Sequence, residues 1–209
     1  MNNLYVKLKF LTFLDHEASA VSSSKRMVAY LADWFLGSLA TLLPICLLWT
    51  ALTGDVESMS QVSLFTINST AGKMQAVAAG AAGLVLALWY YVFIPWKVTP
   101  GQTPGKKMMN IRIAKKDGSA LRLKDLLIRQ VLGFMLLEGM LCTASSLFHE
   151  WISLATGLNF TGILMMASLI ITIASILAAL LAPSSRMIHD YMAGTVLENV
   201  ENDRPDQQI

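Results

Sequence analysis

Arg26 and Asp33 stand seven residues apart in the stretch SSSKRMVAYLADWFLGSLATLLPICLLWTAL, which is otherwise apolar. On a helix, that spacing puts them on nearly the same face, about 10 Å apart along the axis. A carboxylate inside an apolar run is costly, so something must use it or satisfy it. Two further acids have the same character. Glu138 lies within LLEGM in another apolar run, and Asp190 follows a third in SSRMIHDYMAG. Two carboxylates with one guanidinium leave one net negative charge, enough to hold one proton or one alkali cation. Burial raises the pKa of a carboxyl group and a neighbouring arginine lowers it, which is the balance a proton-coupled exchanger needs near neutral pH. The competing reading is a clasp, in which Arg26 bridges Asp33 and Asp190 and pins a short helix to the first span. Glu138 is a candidate proton relay, or else hydrogen-bonds to a serine or threonine of a neighbouring helix.

The elements that must position these groups belong to a membrane protein. Of 209 residues, 55% are hydrophobic and 14% charged, and mean hydropathy is +0.53. Soluble domains are about 25% charged. Four runs are long enough for a bilayer core of about 30 Å: residues 27–52, 74–96, 126–148 and 160–182. The fold class is therefore an all-α integral membrane protein, a single domain built as a four-helix bundle. In the connection 97–125, IRIAKKDGSALRL alternates around Asp117-Gly118 and predicts a short β-hairpin. Residues 4–14 suit a surface helix, residues 185–193 a second one capped by Ser184 or Ser185 and closed by Gly194, and 198–209 a polar tail. No cleavable signal peptide is expected at the N-terminus.

Of 16 Lys and Arg residues, 15 fall on the side that holds both ends and the connection 97–125, the exception being Lys73. Those parts are expected in the cytoplasm. Lys124 and Arg129 are expected to reach anionic lipid head groups there. Ala76, Ala79, Gly80, Gly83 and Ala87, and likewise Ala174, Ala178 and Ala182, form small-residue stripes suited to close helix contact and to a homo-oligomer interface.

Other motifs do not hold up. GQTPGKK (101–107) has the wrong spacing for a phosphate loop and lacks the Ser/Thr after lysine. His16, His149 and His189 are scattered over both sides, with His149, Glu150 and Trp151 expected at the far interface. No nucleophile, base and orienting group share a spacing, so no enzyme activity, cofactor, metal site or nucleic-acid partner is expected. Cys46 and Cys142 read as small apolar residues.

Three patches together resemble the RDD family of bacterial membrane proteins, named for one arginine and two aspartates: KRMVAYLADWFLG with Arg26 and Asp33, TPGKKMMNIRIAKKDG, and HDYMAGTVL with Asp190 as the second aspartate. The resemblance covers most of the chain. It implies a multi-pass protein of the bacterial plasma membrane, and some members are described as sodium/proton antiporters. Glu138 is not part of that pattern. The expected function is exchange of a monovalent cation, sodium first, for protons, at Asp33 and Asp190 with Arg26 tuning them and Glu138 as relay. The alternative is a non-transporting scaffold that binds a partner or anionic lipid through its basic connection.

Overall fold

The structure, a computed structural model, describes residues 19–139 and 142–200. The expected helix at 4–14 and most of the polar tail lie outside them. Among the described residues, three helices are long and apolar enough to cross a membrane: α1 (Ser23–Thr53), α3 (Lys73–Val98) and α7 (Thr161–Leu181). A fourth crossing exists if α5 (Leu123–Glu138) and α6 (Thr143–Thr156), bent by 77° at their junction, are one span. Between them lie α2 (Leu64–Ala71), α4 (Pro104–Met108), strand β1 (Ile111–Lys115), α8 (Ile188–Ala193) and strand β2 (Thr195–Asn199). The Ser22 hydroxyl accepts from Lys25 N and starts α1, while Gly194, at φ 63°, ends α8 in the left-handed conformation that glycine tolerates.

The third expected span is broken rather than continuous, and the break is chemically satisfied. The end of α5 leaves carbonyls that a bilayer cannot hydrate. Ser145 Oγ donates to Met135 O at 2.6 Å, His149 Nε2 to Leu136 O at 3.2 Å, and Thr172 Oγ1 to Glu138 O. His149, Glu150 and Trp151 all engage the protein itself. His149 is buried, Glu150 Oε2 caps Leu64 N at 2.9 Å and Trp151 Nε1 donates to Val77 O at 3.0 Å.

The expected hairpin does not form. The segment β1 pairs antiparallel with β2, from Ile111 opposite Asn199 to Lys115 opposite Thr195. Asp117-Gly118 still turns, with Asp117 accepting from Ser119 N at 3.0 Å, but the chain after it leads into α5. The alternation of Ile111 and Ile113 is a real strand signal, but Ile113 pairs with Leu197 of β2, and the apolar face they share packs on Ala29 of α1, Val92 of α3 and Leu126 of α5. Glu198 and Asn199, expected in the tail, belong to that strand. Strand and tail residues thus tie the connection to the end of the chain.

Both α3 and α5 finish in wide π-helical turns, over Trp89–Val98 and Ile128–Glu138. Such turns are rare and frequent at functional sites. Here they set Tyr90, Tyr91 and Arg129 facing inward. The small-residue stripe on α3 is used within the chain. A Cβ on Gly83 would lie 2.6 Å from Thr41 O on α1 and 2.7 Å from Leu147 on α6, and one on Gly80 would meet Leu64 and Trp151 at 2.6 Å. Ala174 on α7 stays exposed. Gly83→Val is expected to lower stability by about 1–3 kcal/mol, the cost of overpacking, whereas Ala174→Val should be neutral. Thermal unfolding of both variants in detergent checks this. Equal melting temperatures would mean that α1 and α6 do not approach α3 as described.

Candidate functional site

Asp33 sits on the buried face of α1, three turns from its start, and is 4% exposed. Each of its carboxylate oxygens accepts two hydrogen bonds. Oδ1 receives Tyr90 Oη at 2.9 Å and Gly105 N at 2.8 Å, and Oδ2 receives Thr103 Oγ1 at 2.5 Å and Lys106 Nζ at 3.0 Å. Tyr91 Oη donates to the Asp33 carbonyl at 2.9 Å. The TPGK turn does bind an anion, then, but the anion is the chain's own aspartate. Glycine is required at 105 because a Cβ there would run into Ala29 O and lie 2.7 Å from Asp33 Oδ1.

Asp190 is 1% exposed. Its Oδ1 receives Arg129 Nε at 3.0 Å, Arg129 Nη2 at 2.8 Å and Thr195 Oγ1 at 3.1 Å, and its Oδ2 caps Met187 N at 3.2 Å. Arg26 Nη2 stands 3.9 Å from Oδ2, an ion pair beyond hydrogen-bond reach. Arg186 supports the same turn by donating to Asp190 O and Thr195 O, both at 3.0 Å. Burial, the largest single influence, pushes the Asp190 carboxyl upward, but the charged neighbours, Arg129 first, and the Arg129 hydrogen bonds together outweigh it and hold the pKa well below the usual carboxylate range.

Glu138 closes the network. Its Oε1 accepts from His189 N, and its Oε2 accepts from His189 Nδ1 at 2.7 Å and Ser175 Oγ at 2.8 Å. Arg129 Nη2 lies 3.0 Å from His189 Nε2. A guanidinium can only donate, so Nε2 accepts and the ring proton sits on Nδ1, directed at Glu138. The close approach of α8 to α5 depends on Gly133, where a Cβ would be 2.5 Å from His189 Cβ.

Arg26, Asp33, Glu138 and Asp190 line one cavity of about 380 Å³, together with Lys106, Arg129 and His189. The expected bridge of Arg26 between the two aspartates is replaced by two separate centres: Lys106 compensates Asp33 and Arg129 compensates Asp190. With Glu138 and Arg186 included, four cations stand against three carboxylates, which reverses the expected net negative charge among the described residues. Arg129 is not a surface cation reaching for head groups, being 4% exposed. Its position inside the third apolar run was the signal that could have found it. The short helix begins at Ile188 rather than at 185 and is capped by the Asp190 carboxylate rather than by Ser184 or Ser185, burying His189 and Asp190 and exposing Met192. Nothing in the pattern around Lys106 pointed to Asp33, 73 residues away. Among the described residues, no group of three or more His, Cys, Asp or Glu is placed to hold a metal ion.

Residues 20–194 match the sequence model of the RDD family. The chain belongs to the RDD family. Its members are membrane proteins, in keeping with the apolar helices. No significantly similar curated protein and no significantly similar solved structure were found. The arginine and two aspartates for which the RDD family is named are Arg26, Asp33 and Asp190 here, and all three line the one cavity.

Arg129→Gln removes the main countercharge of a buried carboxylate and is expected to cost about 3–5 kcal/mol. Adding Asp190→Asn should recover part of that loss in thermal unfolding. Because the folded pKa of Asp190 is depressed, its stabilisation is complete above the unfolded value of about 4 and fades as pH falls below it. Melting temperature should therefore decline below about pH 4, and Asp190→Asn should flatten that decline. An acid limb of equal steepness in the variant would show that Asp190 is not a source of it.

Proposed function

We propose that the protein is a secondary transporter of the bacterial plasma membrane that exchanges a monovalent cation, sodium first, for protons. In this reading both ends and the basic connection are cytoplasmic, as the skew of lysine and arginine favours, and the protein works as a homo-oligomer. Four spans are few for a carrier whose halves rock about a central site. The observation that carries the reading is the Glu138–His189 pair, two titratable groups buried together at the wall of a cavity that Asp33 and Asp190 also line.

A proton reaching Glu138 turns an acceptor oxygen into a donor. The carboxyl group then cannot keep all three of its hydrogen bonds, to His189 N, His189 Nδ1 and Ser175 Oγ. A proton on His189 Nε2 has the same consequence on the other side, because that nitrogen would face the Arg129 guanidinium donor to donor. Either event shifts α8, and Asp190, the next residue, shifts with it. The charged groups that bear on the pair are Arg129 from α5, Asp190 from α8 itself and, past Asp190, Arg26 from α1. At Asp33 the Lys106 ammonium occupies the place an alkali cation would take. Cation entry therefore requires Lys106 to withdraw, and its return expels the ion.

A second reading has its own support. Every oxygen of Asp33 already has two donors, and Asp190 is held by a forked arginine, as expected of clasps in a scaffold with no transport role. Such a protein would bind a partner or anionic lipid through exposed cations of the connection, such as Lys107, Arg122 and Lys124.

Proton movement in vesicles of the purified protein separates the two. Addition of sodium, lithium or potassium to a preformed pH gradient is expected to collapse it for at least one cation. Glu138→Gln and Asp33→Asn, verified as folded, should abolish that collapse. If no cation dissipates the gradient through well-folded protein, transport is excluded and the clasp reading stands.

A further inference from the structure

The cavity has a second character that neither reading uses. The helix α1 packs on α3, α4 and α6, while α7 packs on α5 and α6, so the first and last spans flank the cavity as its two side walls. Those walls are apolar and open outward. Met27 and Trp34 on α1 are 62% and 43% exposed, and Ile176 and Leu180 on α7 are 40% and 62% exposed. All four lie on helices that read as membrane spans, so the opening faces lipid. Arg26 stands at its mouth. A guanidinium carries five donor hydrogens, yet among the described residues that of Arg26 makes one hydrogen bond, to Ser19 Oγ at 3.5 Å. Its nearest carboxylate oxygen is the one 3.9 Å away on Asp190, which Arg129 already neutralises. Asp33 and Glu138 are likewise filled by Lys106 and by His189 with Ser175. Among the described residues, Arg26 is thus the one charged group lining the cavity whose hydrogen-bonding capacity is largely unspent, and its side chain is 14% exposed.

We propose that the cleft between α1 and α7 is a binding site for an anionic glycerophospholipid of the adjacent leaflet. The phosphate is held by Arg26, and one acyl chain runs between Met27, Tyr30 and Trp34 on one wall and Ile176, Ala179 and Leu180 on the other. The dimensions fit. Arg26 lies in the first turn of α1, at head-group depth, and Trp34 is about 12 Å further along the helix, the reach of the upper part of an acyl chain. A phosphate offers oxygens for the forked donors of an arginine in a site of low dielectric, where such bonds are strong. The site is distinct from the solvated lysines of the connection, and it is independent of whether the protein transports anything.

Native mass spectrometry of the full-length protein in detergent tests this, with added phosphatidylglycerol, phosphatidylcholine of the same chains, or glycerol phosphate. Phosphatidylglycerol is expected to be retained at least about tenfold better than either of the others. Arg26→Gln should remove that preference, Ala179→Phe should remove retention by filling the apolar wall, and Arg112→Gln on the exposed strand should leave both unchanged. The Ala179→Phe variant leaves the charged network untouched, so it decides alone if Arg26→Gln does not fold. Equal retention of phosphatidylcholine overturns the anionic head group, equal retention of glycerol phosphate overturns the lipid, and full retention in folded Ala179→Phe overturns the cleft.

Discussion

No charge in this molecule can be left bare inside the bundle, and the arrangement of its end follows from that. Asp190 is the tightest case. The carboxylate is almost completely buried and takes two hydrogen bonds from one guanidinium, Arg129, on a different helix. The unpaired cost of a buried charge is several kcal/mol, so α8 has little freedom to leave α5. Gly133 is the steric counterpart, since it lets the backbones close far enough for the pair to form. Once α8 is held, His189 is carried against Glu138, and β2, which begins just after Gly194, is delivered to β1.

The same rule explains the break between α5 and α6. A continuous helix would have needed no outside partners. Ending α5 at Glu138 leaves carbonyls to be satisfied. Ser145, His149 and Thr172 satisfy them from two helices. Polar side chains scattered through α6 and α7 thus serve a local backbone need, and they also bind these helices to α5 in a medium where apolar contacts alone supply little drive.

The two aspartates are treated alike in principle and differently in means. Asp33 is wrapped by a turn, with a backbone N–H, a threonine, a tyrosine and a lysine each contributing one donor. Asp190 is gripped by a fork. A lysine on a flexible stem can withdraw without rearranging the backbone, whereas a chelating arginine moves only with its helix. If ions are exchanged here, that difference makes Asp33 the site that opens and the Glu138–His189–Arg129 group the one that senses.

The sequence alone determined the membrane setting, the apolar runs, the family and the residues that could not be ordinary surface charges, because a bilayer imposes length and hydropathy rules that a linear chain displays. Arg26, Asp33, Glu138 and Asp190 were all legible as intramembrane or interfacial charges for that reason. Their partners were not. Lys106 reaches Asp33 across 73 residues, Arg129 reaches Asp190 across 61 and His189 reaches Glu138 across 51. Which cation meets which acid depends on helix packing rather than spacing. Strand pairing failed to show for a related reason: alternation announces a strand, and Asp117-Gly118 announces a turn, but neither says which segment covers the strand's apolar face. Leu197, more than 80 residues along the chain, pairs with Ile113 because α8 is anchored where Asp190 and Arg129 meet, and α1, α3 and α5 cover the face the two strands share; only the folded bundle could decide that.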